Sequence, residues 1–209
     1  MRHLSTVDRL IQGISFVSQT KIDTDAEDLL FEYHPEYDQT LSAADKQTAG
    51  RLMRVNHCGE ICAQGLYFGQ ALGGYQQHII DEMNQSAQEE KDHFNWCLKR
   101  LEQLHSQPSR LAAIWYMSSV CIGYTVARCG DKHSLGFLEE TERQVSEHLI
   151  EYLNYLPEDD LNSRLIMEKM YADEVGHSEK ARQLGARRLS MLESVTMKIT
   201  AWVMKAICY

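Results

Sequence analysis

The stretch YADEVGHSEKA (residues 171–181) sets Asp173, Glu174, His177 and Glu179 in a run that otherwise reads as a helix. A solvated face can carry such groups at no cost, so alone the pattern means little. A second stretch, QEEKDHFNW (88–96), changes that reading, because Glu90 and His93 are three apart, as are Glu174 and His177. On a helix, positions i and i+3 lie within about 60° of one direction and about 4.5 Å apart along the axis. Each pair can aim a carboxylate and an imidazole at one point. Oxygen and imidazole nitrogen together suit iron or manganese better than a thiolate-preferring metal.

Working outward, the three prolines (Pro35, Pro108, Pro157) fall between candidate helices, and Gly73-Gly74 and Gly130 end periodic segments. Between these breaks apolar residues recur at helical spacing: Leu52, Val55, Gly59, Cys62, Leu66 on one stripe, and Ile79, Met83, Ala87, Phe94, Cys97, Leu101 on another. Leu135, Leu138, Val145, Leu149 and Leu153 mark a third, and Leu161, Leu165, Met170, Val175 and Ala181 a looser fourth. No run shows the period-two alternation of a strand, so the spacing predicts an all-α chain. Long helices are expected near 44–72, 76–104, 132–156 and 159–184. Shorter ones are expected near 4–18, 110–128 and 186–206, with an acidic connector after the first.

Each remaining long helix carries an acid on its inward stripe: Glu60 in RVNHCGEICAQ, and one of Glu139, Glu140 or Glu142 in FLEETERQ. Glu60 precedes Glu90 by 30 residues and Glu142 precedes Glu174 by 32, so the chain reads as two similar helix pairs. One glutamate from each of two helices, with an ExxH from each of the other two, is how a four-helix bundle encloses two metal ions. Charge favours that reading. Four facing glutamates in a core would cost several kcal/mol each in lost hydration, roughly, and two divalent cations balance them.

The 209 residues suffice for one domain with a sizeable core, expected to run 1–209: N-terminal helix and acidic connector over 1–43, bundle over 44–184, and a C-terminal helix over 185–209. A net charge of −9 argues against a nucleic-acid partner, and means that lipid contact must rest on apolar burial. The N-terminus carries Asp8 and Arg9 inside its apolar stretch, unlike a secretory signal. The six cysteines form no CxxC pair and suit reduced thiols; Cys58 and Cys62, one turn apart, read as small buried residues.

The segments LMRVNHCGEICAQGLYFGQ, QEEKDHFNW, EETERQVSEHL and YADEVGHSEKA together resemble the demethoxyubiquinone hydroxylases, ferritin-like di-iron monooxygenases of ubiquinone biosynthesis. Cys58 stands where family members often have alanine, a small-for-small change. The resemblance implies a ferritin-like four-helix bundle with additional N-terminal, interfacial and C-terminal helices. It also implies Glu60, Glu90, His93, Glu142, Glu174 and His177 as the metal ligands and catalytic centre, with Glu90 and Glu174 bridging. Position by position it selects Glu142 over Glu139 and Glu140. It further implies two iron ions per chain (Fe2+/Fe3+), a polyprenyl demethoxy quinol and O2 as substrates, and reduced nicotinamide as electron donor. The chain lacks a GxGxxG after a strand, so nicotinamide contact would be of another kind. The expected location is peripheral, on the cytoplasmic side of the cell membrane, with pathway proteins or a homo-oligomer as partners. The rival is a ferritin-like iron-oxidising or storage protein, or a rubrerythrin-like peroxidase, which would add CxxC pairs.

Around these six, His57 reads as a hydrogen-bonding or surface residue, and His148 as helix-surface polarity or a partner to a ligand. Asp92 and Asp173 are candidates to orient the imidazoles, and Tyr67, Tyr116, Tyr124, Tyr152 and Tyr171 read as core or interface aromatics. The segment RLAAIWYMSSVCIGYTVAR (110–128) has seventeen residues without a charge between its arginines, short of the ~20 of a spanning helix. It reads as a helix in the membrane interface with Trp115, Tyr116 and Tyr124 at headgroup level, against the alternative of a buried core helix; WVMKAICY at the C-terminus extends such a surface.

Overall fold

Small polar side chains set where several helices begin. Ser5, Ser42 and Ser190 each accept a bond from the backbone N–H three residues on, and the acid there (Asp8, Asp45, Glu193) accepts in return from the serine N–H. Asp160 caps another helix by accepting from Ser163 N–H. The computed structural model describes residues 5–19 and 33–209. Among them are eight helices and no strand: α1 Thr6–Val17, α2 Pro35–Gln39, α3 Ala43–Gly73, α4 Gln77–Gln103, α5 Ala112–Arg128, α6 Asp131–Tyr155, α7 Leu161–Gln183 and α8 Met191–Cys208. Residues 20–32, half of the acidic connector expected from the sequence, lie outside the described residues.

Two boundaries differ from expectation for local reasons, and one stripe differs in burial. Pro35 does not merely separate helices; it occupies the first turn of α2, where its missing N–H costs nothing. The helix expected from 186 starts at Met191, because Gly185 turns the chain at φ 99°, Arg187 N–H donates to Lys132 O at 2.8 Å, and the Ser190 cap comes later. Leu161 and Leu165, placed on an inward stripe, are exposed.

The fold is a ferritin-like helical bundle. The α3–α4 and α6–α7 pairs each pack as a hairpin, and α5 is the crossover between them, lying along α3. One apolar plug (Leu52, Met53, Leu101, Leu149, Met167) closes one end of the bundle. Another (Tyr67, Ile79, Met83, Leu135, Leu138) closes the other. The polar positions 60, 90, 142 and 174 fall midway between them. A third cluster joins Phe94 and Ile61 to Val17, Ala112, Tyr116 and Val120, seating α1 and α5 on the outside.

The α3–α5 seam is set by glycine. A methyl group at Gly65 would stand 2.5 Å from Tyr116 O, and one at Gly73 2.8 Å from Tyr124 O; at Gly69 and Gly123 the opposing backbone is closer still. Tyr116, expected at a membrane headgroup level, is therefore buried on this seam, whereas Ile114, Ile122 and Tyr124 of α5 face outward. The helix is half core and half exposed. His148, expected on a surface, is buried under α8, edge-on to Tyr152 and with Nδ1 3.1 Å from Lys205 Nζ. Burial, helped by that lysine, lowers its pKa to about 3.

A second polar knot ties α2 to the bundle. Arg100 of α4 is fully buried and donates to both Asp38 oxygens at 2.8 Å, to Asp160 Oδ1 at 2.7 Å and to Ser163 Oγ at 2.8 Å. Burial pushes the Asp38 carboxyl up, yet Arg100 overcomes this and holds it below its usual range.

The seam makes a testable distinction between two glycines of one helix. Gly69→Ala is expected to cost about 2 kcal/mol or more, since backbone on α5 cannot yield as a side chain can. Gly59→Ala meets nothing within 4 Å and is expected to stabilise by roughly 0.5–1 kcal/mol. Denaturant melts of the two variants check both signs.

Candidate metal centre

Glu60 comes from α3, Glu90 and His93 from α4, Glu142 from α6, and Glu174 and His177 from α7. All but His177 are at most 3% exposed, and its side chain is only 12% exposed. One oxygen or nitrogen from each of Glu60, Glu90, His93 and Glu174 lies within 4.8 Å of the others. His93 Nδ1 stands 2.7 Å from Glu90 Oε2, 3.5 Å from Glu174 Oε1 and 4.0 Å from Glu60 Oε2. His177 Nδ1 stands 2.9 Å from Glu90 Oε1 and 3.6 Å from Glu174 Oε2. Glu90 and Glu174 thus each offer one oxygen to either imidazole. Glu60 flanks the His93 side. Glu142 influences His177 and Glu174, and accepts a bond from Tyr67 Oη at 2.6 Å.

Although these approaches are short, several are not directed as hydrogen bonds. Both Glu90 oxygens, Glu174 Oε2 and the Nδ1 atoms of His93 and His177 are buried without a hydrogen-bond partner. Buried polar atoms in a native fold are almost always paired. Orphaned donor atoms from the two facing helices α4 and α7, aimed at one another's space, are what a bound cation satisfies. The oxygen-rich set with two imidazoles fits iron.

Electrostatics point the same way. Burial, and then the neighbouring carboxylates, push Glu60 and Glu142 well above the ordinary carboxylate range. Burial works against a charged imidazole, yet the carboxylates overcome it, raising His93 well above its usual range and His177 to about 11. Burial also pushes Glu90 up, and the two imidazoles more than reverse that, so it stays ionised. Burial and mutual repulsion thus push Glu60, Glu142 and both imidazoles toward their protonated forms, supplying positive charge of the kind a bound cation would replace.

Each imidazole is oriented by an acid on the opposite helix. His93 Nε2 on α4 lies 3.2 Å from Asp173 Oδ2 on α7, and His177 Nε2 on α7 lies 3.2 Å from Glu89 Oε2 on α4. Asp173 meets the expectation; Asp92 is exposed, and Glu89 takes the role expected of it. The missed signal is the acid immediately before each ExxH, Glu89-Glu90 and Asp173-Glu174. The Tyr67 bond to Glu142 was also missed, since spacing cannot show which core phenol meets a ligand. Glu179 is exposed, and Glu139 and Glu140 pair with Arg182 and Arg143 outside the site. His57, expected to hydrogen-bond or face solvent, does neither. It is fully buried against Phe94, ring centroids 4.5 Å apart, with both nitrogens unpaired, and burial lowers its pKa to about 3.

Residues 47–209 match the family model described as ubiquinone biosynthesis protein COQ7. The 3-demethoxyubiquinol 3-hydroxylase of Chromobacterium violaceum is 46% identical over 179 residues, covering 84% of this chain and 87% of that protein. The protein of the same name from Dechloromonas aromatica is 46% identical over 172 residues, 82% of this chain and 83% of its own. That from Legionella pneumophila (strain Paris) is 41% identical over 218 residues, covering 100% of this chain and 99% of that protein.

The proton-holding state sets the pH dependence of metal uptake. These groups are pushed toward their protonated forms, so an incoming cation must displace protons, and affinity should rise with pH. Anaerobic calorimetry with cobalt(II) is expected to show binding weakening by more than about tenfold per unit as pH falls, with more than one proton released per metal. A pH-independent affinity would mean that these side chains are not the ligands.

Proposed function

Because the chain belongs to the family of ubiquinone biosynthesis protein COQ7, we infer that it acts on the same chemistry as its relatives, hydroxylating the ring of a demethoxy quinol in ubiquinone biosynthesis. It is an O2-dependent hydroxylase. The observation that carries the mechanism is the pair of buried carboxylates, Glu90 and Glu174, each set between the same two imidazoles. This supports two irons per chain, one held by Glu60 and His93, the other by Glu142 and His177, with Glu90 and Glu174 shared. An iron pair held by these residues would supply O2 activation, and with two electrons from a reductant one oxygen atom would enter the ring and the other leave as water.

The chain's own groups do the positioning. Asp173 and Glu89 accept from the Nε2–H of His93 and His177, so that once metal displaces the Nδ1 protons each Nδ1 lone pair would face inward to hold it. Tyr67 donates to Glu142 and steadies a carboxylate that otherwise has no fixed partner on that side. The apolar plugs above and below keep bulk water from the centre. Electrons come from reduced nicotinamide in this reading. Its contact would be of a non-Rossmann kind, since no GxGxxG follows a strand.

The protein works peripherally, at the cytoplasmic face of the cell membrane. No helix among the described residues is long and apolar enough to cross a membrane. Support comes instead from exposed apolar side chains: Ile114 and Ile122 on α5, and Leu192, Ile199, Trp202 and Ile207 on α8. Trp115 and Met204 pack on one shared cluster, so the start of α5 and the end of α8 adjoin. Such a surface suits a substrate with a polyprenyl tail. Ile122→Glu and Trp202→Glu should each weaken liposome binding and slow a long-tailed quinol more than a short-tailed one. Equal slowing of the two would argue against a lipid surface.

Labelling separates hydroxylation from iron storage. With 18O2, the quinol is expected to gain one labelled atom, and reductant consumption should rise when quinol is added. Glu90→Ala or Glu174→Ala should lose both irons and His177→Ala should abolish labelling. A storage protein would instead accumulate a ferric core, indifferent to quinol.

A further inference from the structure

One cavity of about 270 Å3 opens between α1, α3, α4 and α5. Of its lining residues, Gln64 and Ala87 form the end nearest the carboxylates along α3 and α4. Gln64 follows Glu60 by one turn of α3, about 6 Å along the axis, and Ala87 precedes Glu90 by about 4.5 Å. That end of the cavity wall therefore lies about one helical turn from Glu60 and Glu90. Gln64, itself only 7% exposed, spans the gap by donating from Nε2 to Ala87 O at 2.6 Å.

The lining has a consistent chemistry. Phe16, Phe68 and Tyr116 supply aromatic surface, and Arg9 and Lys91 supply positive charge. In a chain of net charge −9, neither cation pairs with a carboxylate among the described residues. Arg9 donates to Asn84 Oδ1 at 3.0 Å and lies 5.3 Å from the Phe68 ring centroid. Lys91 donates to Gln88 Oε1 at 2.7 Å and lies 5.9 Å from that of Phe16. Cations resting on neutral amides and ring faces remain available to oxygen acceptors. The Tyr116 hydroxyl, whose pKa burial pushes up to about 12, stays a neutral donor. Volume limits the occupant. A cavity of roughly 150 Å3 accepts benzene, while drug-sized ligands occupy roughly 300–1,000 Å3. At about 270 Å3 the space accommodates one substituted ring.

We propose that this cavity is the binding site of the quinol ring, with Arg9 and Lys91 holding its oxygen substituents and Gln64 positioning the ring edge toward Glu60 and Glu90. The proposal rests on the hydroxylase reading. It also gives α1, which precedes the family-matched region, a role: Arg9 and Phe16 are the wall that α1 contributes to the site.

The test uses the full-length protein and a demethoxy quinone bearing one isoprene unit. Binding of the oxidised quinone to metal-free protein, read by tryptophan fluorescence quenching, is expected to weaken about tenfold in Arg9→Ala and to recover in Arg9→Lys. With iron loaded, Arg9→Ala should raise KM about tenfold with kcat little changed. Gln64→Leu should chiefly lower kcat, and Ala87→Leu, which fills the inner end, should lower kcat/KM by at least about tenfold. Iron content should stay at the wild-type level throughout. Arg9 is exposed, so its variant should fold even if Ala87→Leu does not. Unchanged Kd and KM in Arg9→Ala and Gln64→Leu, with normal turnover, would overturn the cavity assignment and leave the hydroxylase reading intact. Normal quinone binding by a wild-type protein that never hydroxylates would instead overturn the hydroxylase reading.

Discussion

Four carboxylates buried midway along one helical bundle are the constraint from which the rest of this structure follows. Ionised groups in such a place cannot be left unbalanced, since several kcal/mol per ion is comparable to the whole stability of a domain. The bundle answers by making the site from four helices, so that no single helix carries the full repulsion. It answers again by placing both imidazoles beside Glu90 and Glu174. Packing elsewhere is apolar and dense, with plugs at both ends. Balance at the centre is then left to protons or to metal.

The same molecule contains a buried charge set solved in the opposite way. Arg100, Asp38 and Asp160 neutralise one another with direct, well-directed bonds. Ser163 takes the remaining Nε–H. That network leaves a single oxygen, Asp160 Oδ2, without a partner, where the metal centre leaves five atoms, and it ties α2 and the start of α7 to α4. The contrast between a self-satisfied cluster and an unsatisfied one, some distance apart on the same helix α4, distinguishes scaffold from working site better than burial alone.

The helices and five of the six candidate ligands were legible because their signals are local: i, i+3 pairs, stripes, and breaks at proline and glycine; Glu142 was told from Glu139 and Glu140 only by the family resemblance. What lay hidden depends on partners far away in the chain. Glu89 and Tyr67 could be seen as polar or aromatic, but not as touching His177 and Glu142, 88 and 75 residues away. The apolar segment of α5 looked uniform, yet glycines on α3 decide which of its faces is buried, so Tyr116 goes inward and Tyr124 outward. His148 and His57 carry no helical-period signal of burial at all. Packing of α8 covers the first, and Phe94, on which Phe16 of α1 rests, covers the second.

The crossed pairing of imidazoles and acids between α4 and α7 also restricts how the gene can change length. Each helix both carries an imidazole and braces the other's, so the two must keep one axial alignment. An insertion of one residue inside either helix, between its acid and its imidazole, would rotate the second against the first by about 100° and break both braces together. The turns that join the hairpins, 74–76 and 156–160, lie outside this constraint and can lengthen while the alignment holds. Length variation among homologous genes should therefore collect in those turns and at the ends of the chain, and be absent from the segments 89–93 and 173–177.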